Sequence, residues 1–516
     1  MFTEKEGLYI AHGDEGAISI VGKMANRHGL VAGATGTGKT VTLQVLAESF
    51  SQAGVPCFMA DMKGDLSGIA KAGSETEFIR KRAAEFGVEK VEFGGCPVRF
   101  YDVMGELGHA MRATVSDMGP QLLSRLLGLN DTQSGVLGIV FQVADDNGWL
   151  LIDMKDLRAM LDYVNKHGAE YSSKYGNIAS ASVGAIQRSL LQLEQEGAEM
   201  FFGEPAFDIM DLLATENGRG VMSVLAAERL MLKPKLYSTF MLWLMSCLYA
   251  RLPEVGDLEK PRLVFFFDEA HMLFDGTSSA MVEKIEQVIR LIRSKGVGIY
   301  FVTQSPTDIP ENILGQLGNR IQHALRAYTP KDQKAVRAAA ETFRVNPKFK
   351  TEEVIQSLAT GEALISFLDE KGAPSVVQRA KVLFPLSQIG ALTDGERNDV
   401  IRRSSVYGKY DKAVDRESAF EVLLRESERA EEEDSKPRKT AGKQGGGLFG
   451  KVMKAVVTAV TASVATMVGT AVSNKITGKK SRSTGGTKGV AGRVAKNATS
   501  AATRQITRSL LGSLMK

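Results

Sequence analysis

The chemistry of this chain is suggested first by the eight residues GATGTGKT, which run from Gly33 to Thr40 and fit the pattern G-x-x-x-x-G-K-[ST]. Glycines let backbone amides approach a phosphate chain, a lysine brings positive charge to the β- and γ-phosphates, and a threonine offers its hydroxyl to Mg²⁺. The pattern therefore predicts a site for ATP and Mg²⁺. The residues expected to contact the nucleotide are Gly33, Ala34, Thr35, Gly36, Thr37, Gly38, Lys39, Thr40 and Val41.

A pair of acidic residues follows an apolar run in LVFFFDEAH, from Leu263 to His271. Five apolar residues in a row predict a buried central strand, and Asp268 and Glu269 come directly after it. In that position Asp268 would bind Mg²⁺, and Glu269 would orient and deprotonate the attacking water. The alternative interpretation is a helix start, where the helix dipole favours acidic residues.

A third polar residue, Gln304, ends another apolar run in VGIYFVTQSP, which begins at Val297. This run also predicts a buried strand. A glutamine at the end of such a strand would lie beside the γ-phosphate, where it could sense the nucleotide and signal to the loop that follows. The alternative is an ordinary glutamine at the end of a strand.

The elements that must position these residues alternate between strand and helix patterns. Apolar runs at His28–Gly33, Val55–Gly64 and Val88–Gly95 are separated by segments with helical periodicity, and the alternation resumes after residue 261. This order predicts βαβ units on a mainly parallel sheet, and hence an α/β fold. A further strand that returns to the sheet is expected at Gly220–Leu230.

The domain organisation follows from the same patterns, in a chain whose 44% hydrophobic and 24% charged residues are typical of globular proteins. Residues 1–102 are expected to form the N-terminal part of the nucleotide-binding core, and residues 103–258 a mainly helical insertion. Residues 259–434 would complete the core with the acidic and glutamine-bearing strands. Residues 435–516, rich in Gly, Ala, Ser, Thr and Lys, predict a disordered basic tail of low complexity.

Charge is divided unevenly along the chain. The formal net charge is +4, but Ser435–Lys516 holds sixteen Lys and Arg and no Asp or Glu, so without this tail residues 1–434 carry −12. The tail could bind phosphate backbones, lie on an anionic membrane surface as a basic amphipathic helix, or serve as a solubilising segment. Val452–Val472 has the length of a membrane span, but Lys454 and the content of Ala, Thr and Gly argue against one.

The cysteines and the N-terminal sequence bear on the compartment. Cys57, Cys96 and Cys247 stand far apart and form no C-x-x-C pair, so neither a disulfide framework nor a zinc site is suggested. The first sixteen residues, MFTEKEGLYIAHGDEG, contain no apolar signal segment. A cytoplasmic protein is therefore expected.

The motifs GATGTGKT, FFFDEAH and KGVGIYFVTQSPTDIPENILGQLGNRIQHAL resemble those of the HerA and FtsK group of RecA-like motor ATPases, above all the bacterial HerA-like helicases. The resemblance covers roughly Ala11 to Leu383. It implies a RecA-like core and a hexameric ring that translocates double-stranded DNA. By the same resemblance Arg320 is the first candidate for an arginine finger that reaches the nucleotide of a neighbouring subunit, followed by Arg326 and Arg293. Surface arginines are the alternative.

The chain departs from the HerA pattern before the phosphate-binding motif. Archaeal HerA proteins carry a β-barrel there that helps to build the ring and docks a nuclease, and the ten to thirty residues available are too few for one. The sequence therefore does not predict a nuclease partner. ADMKGD, from Ala60 to Asp65, occupies the place of an acidic strand end in the group, so Asp61 and Asp65 could face the nucleotide or simply form a turn.

Two functions are compatible with these features. The first is an ATP-hydrolysing translocase or helicase that acts on double-stranded DNA. The second is an ATP-driven remodeller or regulatory ATPase that acts on protein or at a membrane. The acidic charge of residues 1–434 favours the second, although charge summed over a body says little about the charge that lines a pore.

Overall fold

The computed structural model of the protein describes residues 2–3, 7–195, 197–256 and 258–434. The strands in these residues are β1 (Phe2–Thr3), β2 (Gly7–Gly13), β3 (Gly16–Ile20), β4 (Gly29–Ala32), β5 (Cys57–Asp61), β6 (Val98–Asp102), β7 (His109–Ala110), β8 (Thr215–Glu216), β9 (Arg219–Gly220), β10 (Met222–Ala226), β11 (Leu263–Phe267), β12 (Val297–Thr303), β13 (Asn319–Gln322), β14 (Glu362–Ser366) and β15 (Gln378–Val382).

The α-helices in the same residues are α1 (Lys39–Gln52), α2 (Glu77–Glu85), α3 (Val115–Leu127), α4 (Asp131–Asn147), α5 (Met154–Lys166), α6 (Gly168–Tyr175), α7 (Ser180–Gln195), α8 (Pro234–Arg251), α9 (Ser279–Ile292), α10 (Glu311–Leu314), α11 (Pro330–Glu341), α12 (Thr351–Ser357), α13 (Asp394–Arg403) and α14 (Ala419–Asp434).

One large sheet organises the fold, with strand order β1-β2-β15-β14-β13-β4-β12-β11-β5-β10-β6-β7, and β3 pairs with β2. Every pairing from β13 to β7 is parallel. The pairings from β13 through β14 and β15 to β2 are antiparallel, as are those of β2 with β1 and β3. The mainly parallel α/β fold predicted from the sequence is therefore confirmed.

The central strands are buried on both faces, as their apolar runs predict. Along β11, Phe265 and Phe267 belong to a core that also contains residues of α3, α8 and α9. Val264 and Phe266 belong to a second core that contains residues of α1. This alternation places helices on both faces of the sheet, which is the usual arrangement when strands are parallel.

The segment predicted as a mainly helical insertion, residues 103–258, contains helices and also contributes a strand to the sheet. Helices α3 to α8 lie in residues 103–258, but so does β10, which pairs with β5 on one side and β6 on the other. This strand is the one expected at Gly220–Leu230. The described residues up to Leu423 form one compact unit, so the predicted boundaries at residues 102 and 258 both fall inside it.

One predicted strand is wrong. Val88–Gly95 forms no strand, and the strand that follows α2 is β6 at Val98–Asp102. Val91 and Phe93 pack into a small cluster with Ile79 and Phe384 instead of joining a ladder. At the end of the segment only glycine fits at residue 95, because a Cβ there would lie 2.3 Å from the Ala70 carbonyl oxygen.

The second compact unit begins at Leu424, and its described part is helical to Asp434. The three interpretations of the basic tail and the membrane-length segment Val452–Val472 concern residues outside the described part of the chain. Among the described helices, none combines the length and apolar character that a membrane crossing requires.

Candidate functional site

The phosphate-binding motif forms a loop between β4 and α1. The backbone amide of Gly33 donates to the Thr303 carbonyl at 3.2 Å, and the amide of Ala34 donates to the Ala324 carbonyl at 2.8 Å. Gly38 precedes the first residue of α1 with a φ of +112°, a conformation that L side chains rarely adopt. The loop is therefore anchored to the ends of the strands on both sides of β4.

Lys39 is the first residue of α1, and its ammonium group turns back over the loop. Its Nζ donates to the carbonyl oxygens of Gly33 at 2.7 Å and Ala34 at 3.1 Å. Burial lowers the pKa of Lys39, while the negative charges of Glu269 and Asp268 oppose that shift. Asp268 and Glu269 therefore lie close enough to Lys39 for their charges to act on its ammonium group.

His323 packs directly against the phosphate-binding loop at Gly33. A Cβ on Gly33 would lie 2.5 Å from the Cβ of His323, so only glycine fits between them. Near the other end of the loop, the Gly361 amide donates to the Thr37 carbonyl at 3.0 Å, and the Thr360 hydroxyl donates to the Gly36 carbonyl at 3.3 Å. No local pattern in the sequence predicts these contacts, since residues 323 and 360–361 lie far along the chain.

The strand order brings the acidic pair and the glutamine together. Asp268 and Glu269 follow β11, Gln304 follows β12, and these two strands pair in parallel between β4 and β5. Gln304 Nε2 donates to Glu269 Oε2 at 3.4 Å, and His271 Nδ1 lies at the same distance from that oxygen. Three of the predicted site residues thus meet at the carboxyl ends of adjacent strands.

Lys63, which was not among the predicted catalytic or nucleotide-binding residues, also contacts Glu269. It lies just beyond β5, and its Nζ donates to Glu269 Oε1 at 2.5 Å. The motif ADMKGD drew attention to this segment, but to its acidic residues. Finding the lysine would have required knowing that β5 pairs with β11.

The two acidic residues differ in their electrostatic surroundings. Burial raises the pKa of Asp268 to about 6, and the neighbouring charge of Glu269 adds to this effect. Burial also acts to raise the pKa of Glu269, but the hydrogen bond and charge of Lys63 outweigh it and bring this pKa below its usual value. The positive charge of Lys63 also acts on Asp268, but it does not outweigh burial, so the pKa of Asp268 stays raised.

Asp61, the first acidic residue of ADMKGD, is bound within its own loop. Asp61 is buried, and its carboxylate accepts hydrogen bonds from the backbone amides of Gly64 at 2.8 Å and Leu66 at 3.1 Å. Burial, followed by the charges of Asp65 and Glu228, raises the pKa of Asp61 to about 7. These bonds agree with the turn, the alternative left open for Asp61, rather than with a nucleotide contact.

The three candidate arginines lie in different environments. The guanidinium group of Arg320 donates to three backbone carbonyls, of Leu314 and Leu317 at 2.9 Å each and of Thr342 at 3.1 Å. Arg326 is exposed and donates to one backbone carbonyl, that of Gln356, at 2.9 Å. Arg293 is exposed at the end of α9. Arg320 is therefore more firmly bound within its own subunit than Arg326.

The fold and this arrangement of residues define a P-loop ATPase of the RecA-like class. The order along the sheet, with β12 between the phosphate-loop strand β4 and the acidic strand β11, places the glutamine between the two nucleotide-binding motifs. The chain belongs to the family described as helicase HerA-like C-terminal, whose profile matches residues 7–516. The resemblance inferred from the motifs is thereby confirmed.

Individual relatives match smaller parts of the chain. The DNA double-strand break repair helicase HerA of Sulfolobus acidocaldarius is 33% identical over 99 residues, which is 19% of this chain and 19% of that protein. The protein of the same name from Sulfurisphaera tokodaii is 33% identical over 112 residues, 21% of each chain. The matched segment thus spans about a fifth of each relative.

A solved structure with a similar fold is the plasmid coupling protein TrwB in complex with a non-hydrolysable ATP analogue. Its TM-score is 0.50 at 15% sequence identity, and the similarity covers 72% of this chain and 88% of TrwB. At this identity the comparison concerns the fold.

Proposed function

We propose that this chain hydrolyses ATP and uses the energy to translocate double-stranded DNA as a hexameric ring. The observation that carries the proposal is the convergence of Lys39, Glu269 and Gln304 at the carboxyl ends of three adjacent parallel strands. In open α/β sheets this edge is where ligands bind. Membership in the HerA-like family supports the choice of ATP and of a motor function.

Each residue has a distinct role in the proposed hydrolysis. Backbone amides of the loop from Gly33 to Val41 would hold the phosphates, with Lys39 adding positive charge at the β- and γ-phosphates. Glu269 would orient the attacking water and accept its proton, and Gln304 would contact the γ-phosphate and the water. Cleavage transfers the terminal phosphoryl group to water and leaves ADP.

Asp268 and Thr40 fit the requirements of a Mg²⁺ site. Both offer hard oxygen ligands, and Asp268 is only 6% exposed, with a pKa raised by burial, so a cation would stabilise its charged form. When bound, Mg²⁺ neutralises charge on the β- and γ-phosphates. The solved TrwB complex contains an ATP analogue, which supports a triphosphate as the ligand here.

DNA as the substrate and the ring are inferred through the family. The two archaeal relatives are named as DNA double-strand break repair helicases, and the segment they share with this chain is about a fifth of their length. A motor of this kind would work in the reducing cytoplasm, which suits the three free, buried thiols of Cys57, Cys96 and Cys247.

The alternative is an ATP-driven remodeller or regulatory ATPase that acts on protein or at a membrane surface. The net charge of −12 on residues 1–434 favours this function, because a surface that binds DNA is expected to be basic.

ATP turnover of the full chain, measured with and without duplex DNA and alongside its mass in solution, separates the two functions. We expect duplex DNA to stimulate turnover, the stimulation to weaken with salt, and the active species to have the mass of a hexamer. Lys39→Ala protein gives the background. Turnover that duplex DNA leaves unchanged at every salt concentration would refute translocation and favour the remodeller, and a wild-type rate equal to that of Lys39→Ala would refute ATP hydrolysis itself.

A further inference from the structure

The shortest polar contact of the proposed base is made by Lys63. Its Nζ lies 2.5 Å from Glu269 Oε1, and the side chains are 48% and 7% exposed, respectively. The other two contacts of the carboxylate, with Gln304 Nε2 and His271 Nδ1, are 3.4 Å long and both go to Oε2. A short hydrogen bond between two charged groups is the strongest of the three.

The strand order places Lys63 and Gln304 on opposite flanks of the base. Glu269 follows β11, with β12 and Gln304 on the side of the phosphate loop, and β5 and Lys63 on the far side. The backbone of Glu269 has a φ of +46°, which is uncommon for a residue other than glycine. Its carboxylate is therefore held between two strands while its backbone adopts a sparsely populated conformation.

We infer that Lys63 is a positioning residue for ATP hydrolysis, which holds the carboxylate of Glu269 in the orientation that proton abstraction requires. The inference rests on the proposed hydrolysis of ATP. The positioning role requires that Lys63 binds one carboxylate oxygen from the side of β5. The second oxygen then stays on the flank of Gln304 and the nucleotide.

The expected loss of rate without Lys63 follows from the distances that proton transfer requires. A general base must lie about 2.6–3.2 Å from the atom whose proton it takes. Without Lys63, only the two long contacts at Oε2 would restrain the side chain, and a displacement of about 1 Å can cost about 100-fold in rate. Nucleotide binding, by contrast, depends on the loop from Gly33 to Val41, which Lys63 does not contact among the described hydrogen bonds.

The test compares Lys63→Met, Lys63→Arg and wild-type protein for kcat, KM and binding of a non-hydrolysable ATP analogue. We expect Lys63→Met to lower kcat about 10- to 100-fold, with KM and analogue affinity changed less than about twofold. Lys63→Arg should recover much of the rate, because a guanidinium group can also donate to the carboxylate. Lys71→Met is the matched control, since Lys71 is 50% exposed and pairs with Glu396, away from the site.

A double-mutant cycle asks whether Lys63 acts through Glu269. In protein that already carries Glu269→Gln, Lys63→Met should change the residual single-turnover rate less than about twofold, because the carboxylate to be oriented is gone. An equal loss in both backgrounds would overturn the inference, as would a Lys63→Met kcat at the wild-type value or a loss of analogue binding. If the wild-type protein turns over ATP in these experiments, such a result counts only against the role of Lys63. An inactive wild type would refute the proposed function as well.

Discussion

Thr42 and His323, 281 residues apart in the chain, are joined by a buried hydrogen bond of 2.8 Å between the threonine Oγ1 and the imidazole Nε2. The other ring nitrogen, Nδ1, lies 2.8 Å from the Glu362 carbonyl oxygen and must donate to it. Nε2 therefore accepts from the threonine hydroxyl. This bond ties the first turn of α1, and with it the phosphate loop, to the end of β13.

Replacing Thr42 by valine tests the importance of this tie. The change keeps the shape of the side chain but leaves a buried acceptor on His323 without its donor, which costs roughly 1–3 kcal/mol. We expect the free energy of unfolding to fall by that amount and the affinity for an ATP analogue to weaken. Chemical denaturation and nucleotide titration measure the two effects.

Thr239→Val serves as the control for this substitution. Thr239 is fully buried in α8, but its hydroxyl donates to the Lys235 carbonyl one turn earlier, and no ligand loop depends on it. Its loss should leave nucleotide affinity at the wild-type value. If the two variants weaken nucleotide binding equally, the bond between Thr42 and His323 has no special role in the site.

A second buried histidine, His28, is expected to make stability depend on pH. Its Nε2 donates to the Ile289 carbonyl at 2.9 Å, and its Nδ1 accepts from the Ile299 amide at 3.0 Å. Burial lowers its pKa from 6.5 to about 4. In the unfolded chain this imidazole is protonated below about pH 6.5, whereas in the folded chain it stays neutral down to about pH 4. The free energy of unfolding therefore falls as the pH falls through this window.

The measurement is the free energy of unfolding between pH 7 and 4 for wild type and His28→Asn. Asparagine tolerates the φ of +57° found at residue 28. We expect protonation of His28 to lower the free energy of unfolding of the wild type by up to about 3 kcal/mol across the window. The variant should lack this pH-dependent contribution. Buried carboxyls such as Asp61, whose pKa is raised to about 7, contribute with the opposite sign, so the difference between the two proteins is the relevant quantity. Parallel curves would contradict the assignment.

Lys39 and Glu269 are expected to separate nucleotide binding from hydrolysis. Lys39→Ala should abolish turnover and weaken binding, because the loop loses its positive charge. Glu269→Gln should keep binding but lower kcat by about 10²- to 10⁴-fold, the usual contribution of a general base. Analogue binding and steady-state turnover, measured on the same preparations, distinguish the two. Unaltered turnover in Glu269→Gln would remove this residue from the role of base.

The sequence could predict the parts of the site that depend on local pattern. The phosphate loop has a fixed spacing, and the apolar runs before Asp268 and Gln304 identify buried strands whose ends carry polar groups. Because β4, β11 and β12 proved to be neighbours, residues predicted one by one converge at one edge of the sheet.

Contacts that depend on strand order could not be predicted in this way. The pairing of Lys63 with Glu269 requires β5 beside β11, and the contact of His323 with Gly33 requires β13 beside β4. The error at Val88–Gly95 has a different origin. Its spaced apolar residues resemble a strand, but they bury themselves in a small loop cluster, and burial alone does not distinguish the two arrangements.

The tail beyond Asp434 is expected to be dispensable for basal hydrolysis, because no phosphate-binding motif lies in residues 435–516. If its sixteen positive charges bind phosphate backbones, a chain that ends at Asp434 should lose part of its affinity for duplex DNA and show a shallower salt dependence. ATP turnover and DNA titrations at several salt concentrations measure both effects. A truncated chain that is folded but inactive without DNA would show that the predicted boundary is wrong.

Because Arg320 is bound within its own subunit, we propose Arg326 as the arginine finger instead. To reach a neighbouring subunit, Arg320 would have to leave three backbone carbonyls, whereas Arg326 is exposed and would leave one. We therefore expect Arg320→Ala to lower the free energy of unfolding, and Arg326→Ala to fold normally, bind ATP and lose turnover. An arginine finger contributes about 10³- to 10⁵-fold in rate.

Mixing two inactive variants tests whether Arg326 acts in trans. In rings that contain both Arg326→Ala and Glu269→Gln subunits, some interfaces place an intact Arg326 from the second variant against an intact Glu269 from the first. Partial activity should therefore return on mixing, at a level that follows the fraction of such interfaces. Subunit exchange can be verified with differently labelled proteins. If mixed rings stay inactive, Arg326 does not serve a neighbour's site, and a folded but inactive Arg320→Ala beside an active Arg326→Ala would return the role to Arg320.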